Sequence, residues 1–207
     1  MVEQTTSRDG VHAFFPDEFT RQFRKLFLPL SATLVKIGVT PNTVTLFSFF
    51  LAVVTGVLLA TDYLWTALLV GLAMGFCDVV DGQLAKEFGG TTEFGGVLDS
   101  TVDRYTEFCL FLGLGVRYYL LGRPEWIVGC ALAFFGSVMI SYVKSRAEAA
   151  GFECKVGRLQ RPERLTLMAF GVLFRDIGID VVIVFLAVGT QFTALYRLYY
   201  VYRRSGK

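Results

Sequence analysis

Two runs of 18 residues without a charged side chain, residues 43–60 and 126–143, constrain the fold of this chain most strongly. A bilayer core of about 30 Å needs roughly 17 to 25 predominantly apolar residues in a helix. Both runs are therefore long enough to cross a membrane, and residues 63–77 and 181–196 add uncharged runs of 15 and 16 residues. With 54% hydrophobic and 18% charged residues, the chain is predicted to be an all-α integral membrane protein rather than a soluble domain.

Charged and turn-forming residues divide the chain into six predicted transmembrane helices. Pro162 is expected to open the fifth, and residues 175–180 are a predicted turn before the sixth. If the N-terminus is cytoplasmic, 17 of the 20 basic residues fall on the cytoplasmic side, and only Arg117, Arg123 and Arg175 do not. Because cytoplasmic loops are enriched in Lys and Arg, we expect a multi-pass protein of the cell membrane with both termini in the cytoplasm.

The N-terminal part, residues 1–39, differs from the membrane domain predicted over residues 40–207. Residues 1–16 are polar and lack the apolar core of a cleavable signal peptide. Residues 17–37 have apolar side chains at helical spacing with basic residues between them, which is typical of an amphipathic juxtamembrane helix at the membrane interface. Pro29 predicts a kink in this helix. A solvated helix that packs on a protein core is the alternative.

Net charge and cysteine spacing bear on the partners of the chain and on the state of its thiols. A net charge of +2 gives no reason to expect nucleic acid as a partner. The cysteines lack CxxC spacing and are expected to be free thiols in apolar surroundings; they are Cys77, Cys109, Cys130 and Cys154.

Four carboxylates interrupt this apolar chain: Asp78, Asp81, Asp99 and Asp103. Residues three and four apart share a helix face, so Asp78 pairs with Asp81 and Asp99 pairs with Asp103. Ionisable residues inside membranes mark functional sites by default, and oxygen ligands without His or Cys favour Mg2+ or Mn2+. The spacing therefore predicts a divalent-metal site at the cytoplasmic end of the bundle. The alternative is that these residues cap helices at a wetted membrane surface.

Gly82 and Ala85 lie one turn apart on the helix that carries Asp78 and Asp81. Their lack of bulk would let a base or a pyrophosphate approach the backbone, although close helix packing is the alternative use of small residues in membranes. Two divalent ions can stabilise the attacking and leaving oxygens in phosphoryl transfer. A site of this kind that opens to the lipid leaflet suits a diphosphate substrate with a lipid tail.

The complete motif reads Asp78-x-x-Asp81-Gly82-x-x-Ala85-Lys86-x8-Gly95-x3-Asp99-x3-Asp103. It resembles the signature of the CDP-alcohol phosphatidyltransferases, as does Thr40-Pro41-Asn42 before the first predicted span, and the resemblance runs from about residue 40 to residue 204. The family usually has Arg where this chain has Lys86. Lysine keeps the charge but loses the bidentate fork of arginine, which predicts an altered contact with the pyrophosphate.

The resemblance implies a reaction in which an acceptor hydroxyl attacks the lipid-linked phosphorus of a CDP-linked lipid and CMP is released. It implies that Asp78, Asp81, Asp99 and Asp103 bind two Mg2+ or Mn2+ ions. Asp103 would also be the general base, a role that suits a carboxylate near an approaching hydroxyl. The residues expected to contact the CDP group are Asn42, Gly82, Ala85 and Lys86. The family also suggests a homodimer surrounded by membrane lipids.

Two further stretches bear on the acceptor. Residues 98–107, and residues 145–149 together with 161–164, resemble the branch of the family that makes phosphatidylinositol phosphate or archaetidylinositol phosphate. An acceptor that carries a phosphate needs a cationic site, for which arginine is well suited. The candidate cations, with the first two preferred, are Arg146, Arg164, Arg104, Arg161 and Arg158. The alternative is that they only satisfy the cytoplasmic bias and bind anionic headgroups.

Inositol 1-phosphate is the predicted acceptor, ahead of glycerol 3-phosphate, free inositol and serine, and a relative that joins CDP-inositol to inositol phosphate also stays open. Two other classes of protein remain as rivals. A membrane prenyltransferase also holds a magnesium diphosphate between Asp-rich helices, but in a longer bundle with DxxxD pairs. A divalent-cation transporter would need acidic residues at intermediate depth, whereas the far side offers only acidic residues predicted at turns: Asp62, Glu125, Asp176 and Asp180.

Overall fold

The computed structural model describes residues 17–205 and, within that range, the side chains of residues 27–86 and 88–205. The described chain contains seven helices and no strand: α1 (Asp17–Lys36), α2 (Pro41–Ala60), α3 (Leu64–Glu87), α4 (Glu93–Leu120), α5 (Trp126–Ala149), α6 (Arg161–Leu173) and α7 (Arg175–Ser205). The predicted all-α architecture is confirmed, and the predicted N-terminal helix corresponds to α1. The predicted polar tail, residues 1–16, lies outside the described residues.

The starts of α2 and α6 follow from local sequence signals. Thr40 caps α2 by accepting a hydrogen bond from the Thr43 backbone N–H at 3.3 Å. Pro41 takes the first helical position, where a backbone N–H would have no partner within the helix. Pro162 lies in the first turn of α6 beside a capping box, which satisfies two backbone donors at once. The prediction that Pro162 opens a helix is confirmed.

Small residues allow the helices to pack closely. α2 packs against α3 and α4, and α5 packs against α7. A Cβ on Gly113 of α4 would overlap the carbonyl group of Gly56 on α2, and a Cβ on Gly136 of α5 would overlap Thr190 of α7. Close backbone approach of this kind is a main source of helix association in membranes. The two helix contacts form the centre of the bundle.

Four of the described helices, α2, α3, α5 and α7, are long and apolar enough to cross a membrane. The chain therefore has the helices of an integral membrane protein, while the predicted count of six spans goes beyond this finding. α4 has 28 residues, but the aspartates in its first turns shorten its apolar stretch. α6 has 13 residues, which is about 20 Å of helix.

The predicted turn over residues 175–180 is wrong. α7 begins at Arg175, and only Phe174 separates it from α6. Arg175 adopts a positive φ of 54°, and Gly171 of α6 lies against Gly178 of α7. The chain therefore reverses within two residues, and the charged residues that suggested a loop occupy the first turns of α7.

The helix α1 uses one face to pack against α3. Ser31 Oγ donates a hydrogen bond to Gln83 Oε1 at 2.8 Å, and both residues are buried. The ring of Phe27 meets the ring of Phe76 edge-on, with centroids 4.5 Å apart. Leu30 of the same helix is 42% exposed. A protein-facing side and an exposed apolar residue thus occur on the same helix.

A charged cluster lies at the end of the bundle opposite the aspartate motif. The Arg117 side chain of α4 is 2% exposed and forms ion pairs with Asp62, at 2.7 Å, and with Asp176. Arg123 pairs with Asp180 at 2.8 Å. We call these five residues the opposite-end cluster. It joins the turn between α2 and α3 to the ends of α4 and α7.

Candidate active site

The aspartate motif is assembled by the end of α3, the start of α4 and the short connection between them. Asp78 and Asp81 lie in the last three turns of α3, and Asp99 and Asp103 lie in the first three turns of α4. Gly89 adopts a φ of 72° in the connection, a conformation that glycine reaches without steric penalty. Residues 88–92 thus bring all four aspartates to the same end of the bundle.

Asp81 is the most buried of the four aspartates. The residue is 6% exposed, and its Oδ2 accepts a hydrogen bond of 2.8 Å from Thr45 Oγ1 on α2. Asp99, in contrast, is exposed on α4. A carboxylate in apolar surroundings is stabilised when a donor satisfies it, so Thr45 fixes one oxygen of Asp81 at the base of the site.

Asp78 and Asp103 share a single guanidinium group. Arg161, the first residue of α6, forms an ion pair through Nη1 with Asp78 Oδ2 and lies 2.7 Å from Asp103 Oδ1. Despite this distance, Asp103 Oδ1 and Arg161 Nε are buried atoms without a hydrogen-bond partner, because the geometry at Asp103 is not that of a directed hydrogen bond. Arg161 therefore compensates two of the aspartate charges incompletely.

No group of three or more acidic, His or Cys side chains among the described residues is arranged to hold one metal ion. The close convergence of four carboxylates expected from the sequence is thus not found, and the Arg161 guanidinium contacts Asp78 and Asp103 instead. The donor chemistry nevertheless fits Mg2+ or Mn2+, since the set consists of carboxylate oxygens. Asp103 Oδ1, buried without a hydrogen-bond donor, is an oxygen that a cation would satisfy.

The residues predicted to contact CDP lie near the end of α3 and in the first turn of α2. A Cβ on Gly82 would meet no protein atom within 4 Å, so this glycine is not required for helix packing and leaves the backbone open to approach. Ala85 is half-buried and Lys86 is exposed. A Cβ on Gly95 would lie 3.1 Å from Asn42 Oδ1, so Asn42 sits directly against the start of α4.

A polar cavity of about 310 Å³ adjoins Asp103. Three predicted acceptor residues, Arg104, Arg161 and Arg164, line it, together with Lys144 and Ser141 of α5. Sequence reasoning did not select Lys144 or Ser141 for the site. Their three-residue spacing, which places them on one helix face, was the available signal. The lining thus combines several cations with carboxylates, Asp103 among them, and cations of this kind are suited to bind a phosphate.

Two of the predicted acceptor residues are placed less favourably. Arg164 lines the same cavity, but its Nε and Nη2 donate to Glu107 and its Nη1 donates to the Leu159 carbonyl at 2.7 Å. Both side chains of the Arg164–Glu107 pair are almost fully buried. Arg146 is exposed in the last turn of α5 and is not among the residues that line the cavity. The charge of Arg164 is thus already compensated, and Arg146 lies away from the cavity.

One further cation at this cavity was missed as a site residue. Arg197 of α7 is buried and donates to the carbonyl groups of Val156, at 2.7 Å, and Ile140, at 2.8 Å. It anchors the segment that leads into α6. The sequence places Arg197 only at the cytoplasmic end of a span, and nothing in its spacing indicates a carbonyl partner 57 residues away.

An apolar cavity of about 740 Å³ lies between α2, α3 and α6. Phe76 and Val79 line it on either side of Asp78 in the sequence, and Met168 and Val172 line it from α6. The apolar cavity thus begins next to the aspartate motif.

Comparison with known proteins agrees with this arrangement. Residues 38–195 match the family model described as CDP-alcohol phosphatidyltransferase. The chain belongs to the CDP-alcohol phosphatidyltransferase family. The family resemblance predicted from the motif is confirmed, and the chain is an enzyme of this family rather than a prenyltransferase or a transporter.

Similar proteins of the family carry narrower names. The phosphatidylinositol phosphate synthase of Corynebacterium glutamicum is 39% identical over 178 residues, which are 82% of this chain and 81% of that protein. The archaetidylinositol phosphate synthase of Methanothermobacter thermautotrophicus is 31% identical over 192 residues, 91% of this chain and 94% of that protein.

Solved structures of the Mycobacterium tuberculosis phosphatidylinositol phosphate synthase have the same fold. The structure with CDP-DAG bound superposes with a TM-score of 0.77 at 31% identity and covers 84% of this chain and 92% of that one. The structure in complex with manganese and citrate has a TM-score of 0.76 at 32% identity and covers 84% of this chain and 88% of that one.

Proposed function

We propose that this protein transfers the phosphatidyl or archaetidyl group of a CDP-linked lipid to inositol 1-phosphate and releases CMP. The observation that carries the proposal is the polar cavity in which Asp103 lies beside Arg104, Lys144 and Arg161. Its volume of about 310 Å³ is at the lower end of small-molecule sites, about 300–1,000 Å³. The names of the relatives from Corynebacterium and Methanothermobacter support the same acceptor.

The four aspartates are proposed to hold two divalent ions. Asp78, Asp81, Asp99 and Asp103 supply only oxygen donors, which suit Mg2+ or Mn2+, and the manganese complex of the Mycobacterium tuberculosis synthase supports this choice. When bound, the ions would neutralise the diphosphate and polarise its phosphoryl oxygens. The hydrogen bond from Thr45 would orient Asp81 for this role.

Asp103 is proposed to be the general base. Asp103 belongs to the aspartate motif and also lines the acceptor cavity. An acceptor hydroxyl would meet the lipid-linked phosphorus at this boundary. The hydroxyl oxygen would form the new P–O bond while its proton passes to Asp103. The P–O bond to CMP would break, and CMP would leave with the bonding electron pair.

Gly82, Ala85 and Lys86 of α3 are proposed to bind the CDP group together with Asn42 of α2. The open space at Gly82 supports this role, because a glycine used only for packing would lie against another helix. Lys86 is exposed and would offer a point charge to the diphosphate.

The acceptor phosphate is proposed to bind cations that line the polar cavity beside Asp103. Arg104, Lys144 and Arg161 line the cavity, and a phosphate oxygen accepts well from such donors. Arg164, with its donors directed to Glu107 and Leu159, would shape the wall of the cavity rather than bind the phosphate. Arg146 remains a sequence prediction that its exposed position does not favour.

The apolar cavity between α3 and α6 is proposed to receive the lipid tail of the donor. It begins beside Asp78 and is lined by apolar side chains on α3 and α6, so a CDP-linked lipid could place its diphosphate at the aspartates and its tail among these residues. This geometry would keep the reacting phosphorus at the membrane boundary.

We further propose that α2–α7 form six membrane spans in a homodimer, with both termini and the site on the cytoplasmic side. The gathering of basic residues at one end supports the orientation, since cytoplasmic segments are enriched in Lys and Arg. The homodimer rests on the family resemblance.

The proposal is tested with purified full-length protein, CDP-diacylglycerol, Mn2+ or Mg2+, and each labelled acceptor in turn. Product and CMP are expected from inositol 1-phosphate, and EDTA should abolish both until metal is restored. An archaeal-type ether lipid donor compares the two lipid classes. Efficient turnover of glycerol 3-phosphate without product from inositol 1-phosphate would overturn the acceptor assignment.

A further inference from the structure

Arg161 occupies a position that bears on metal binding as well as on the acceptor. One nitrogen, Nη1, contacts Asp78 Oδ2 and Asp103 Oδ1, and the side chain is only 16% exposed. We propose that Arg161 competes with the divalent ion for the carboxylates of Asp78 and Asp103, so that metal loading releases its guanidinium toward the acceptor cavity. The inference rests on the proposed function, in which these two aspartates are metal ligands.

Charge makes the two occupants mutually exclusive. A guanidinium is permanently protonated, and a divalent ion held by Asp78 and Asp103 would face it across a few ångströms of a water-poor site, where like charges repel strongly. Arg161 also occupies oxygens that a metal ion would need, because its Nη1 contacts Asp78 Oδ2 and Asp103 Oδ1. A metal ion that uses these oxygens must displace the arginine.

The hydrogen bonding of Arg161 with the two aspartates is incomplete, because the directed bond runs from Nη1 to Asp78 Oδ2 alone. Its Nε is buried without a hydrogen-bond partner, and Asp103 Oδ1 likewise lacks a directed donor. A buried polar atom that is left unsatisfied destabilises the arrangement that contains it. Release from the aspartates therefore gives Nε access to a partner that it lacks in this contact.

The cavity provides the alternative position. Arg161 lines it, and so does Lys144 of α5. A phosphate bound there would accept hydrogen bonds from the released guanidinium. The metal ion and the acceptor phosphate would then both favour the position in which Arg161 is released from the aspartates. Binding of either ligand should therefore strengthen binding of the other, because such coupling is reciprocal.

A fixed structural role for Arg161 predicts the opposite result. If Arg161 stays on both aspartates and only holds their orientation, its removal should misplace the ligands and weaken metal binding. The direction of the change in metal affinity therefore separates competition from support.

The test measures Mn2+ binding to the purified full-length protein without any substrate, from the electron paramagnetic resonance signal of free Mn2+. We expect Arg161→Gln to bind Mn2+ about tenfold more tightly than the wild type, within the range of typical coupling between sites. The matched control is Lys144→Gln, which removes one positive charge from the same cavity. In the wild type, Lys144 pairs with Glu148, at 3.9 Å, and not with the aspartates. The Mn2+ affinity of this variant should change by less than about threefold.

Unchanged or weaker Mn2+ binding by Arg161→Gln would overturn the proposal, as would an equal gain in Lys144→Gln. If Arg161→Gln does not fold, Arg161→Lys answers the same question: its shorter side chain should lose one of the two contacts and also tighten Mn2+ binding, and weaker binding contradicts competition. Because no substrate is present, the outcome is independent of the acceptor. If the enzyme uses inositol 1-phosphate but Arg161→Gln does not bind Mn2+ more tightly, only this inference is refuted. If Arg161→Gln binds Mn2+ more tightly but inositol 1-phosphate gives no product, only the proposed acceptor is refuted.

Discussion

The two ends of α4 carry charged residues in very different balance. Asp99 and Arg117 are separated by 18 residues of α4, about 27 Å of helix. At the opposite end, Arg117 has two carboxylate partners, and Arg123 pairs with a third. At the motif end, four aspartates gather, and the ion pairs found among the described residues involve only Asp78 and Asp103, with Arg161 and, 3.6 Å from Asp103, Arg104. One end is compensated by the protein itself, and the other retains an excess of carboxylates.

The comparison separates charges that stabilise the fold from charges that serve a ligand. Burial alone does not do so, because Arg117 and Arg164 are almost equally buried, at 2% and 3% side-chain exposure. The distinguishing features are the cavity that adjoins Asp103 and the uncompensated acidic charge. A carboxylate excess near a membrane is expensive unless a cation balances it, so the motif end is suited to a bound ion.

The strongest test of this difference is Asp103→Asn. The change keeps the shape of the side chain but removes the proposed proton acceptor, and general bases contribute about 10²–10⁴-fold to rates. We expect CMP release to fall about a thousandfold, while thermal stability stays near that of the wild type. Turnover is measured by CMP release from CDP-diacylglycerol. Near-normal turnover with metal still bound would reassign the base to a water or to a substrate phosphate.

Arg117→Met breaks the opposite-end cluster instead. Removing one partner of a fully buried ion pair destabilises a protein by about 3–5 kcal/mol. Asp62 and Asp176 are about half exposed and can be solvated, so we expect a loss of about 2 kcal/mol, below that range. The midpoint of thermal unfolding should fall by about 6 °C, with the rate of CMP release at 25 °C within about twofold of wild type. Loss of activity in a fully folded variant would contradict the division between the two ends.

Gly82→Ala and Gly113→Ala form a matched pair of glycine substitutions in helices. A Cβ at position 82 meets no protein atom within 4 Å, so stability should be kept while the KM for CDP-diacylglycerol rises about tenfold, as expected for one misplaced methyl group in a binding site. A Cβ at position 113 meets the backbone of Gly56, which should lower stability by about 1–3 kcal/mol. Steady-state kinetics and thermal unfolding are measured for both variants. Equal KM values for Gly82→Ala and wild type would remove Gly82 from the CDP site.

Lys86→Arg is expected to have the smallest effect. It restores the residue usual in the family and adds the bidentate fork that suits a diphosphate. The KM for CDP-diacylglycerol should fall about threefold, since Lys86 is exposed and exposed charge pairs contribute about 0–1 kcal/mol. Titration of CDP-diacylglycerol at fixed Mn2+ measures the change. A higher KM would indicate that the site has adapted to lysine.

The features that were predictable from sequence are those governed by local spacing. Asp78, Asp81, Asp99 and Asp103 could be assigned to one end of the bundle because α3 and α4 are regular helices with a short connection. The start of α6 at Pro162 could be predicted because proline restricts where a helix begins. Each of these follows from residues within a few positions of one another.

The features that could not be predicted depend on how distant segments face each other. Arg161 reaches Asp78 across 83 residues, and Arg164 reaches Glu107 across 57. Spacing along a helix does not determine which arginine faces an aspartate and which faces a buried glutamate. The short connection at Phe174 could not be predicted for a related reason. The charged residues suggested a longer loop, but the contact between Gly171 of α6 and Gly178 of α7 allows the chain to reverse at once.

If α6 crosses the membrane as proposed, its shortness would make the active site sensitive to the thickness of the bilayer. Its 13 residues extend about 20 Å, against a hydrocarbon thickness of about 30 Å. A membrane adapts to a short helix by thinning or by pulling on its ends, at a modest energetic penalty for each ångström of mismatch. Since Arg161 is the first residue of α6, a change in bilayer thickness would, in the proposed six-span arrangement, shift its guanidinium in the site, and acyl-chain length would then alter the activity.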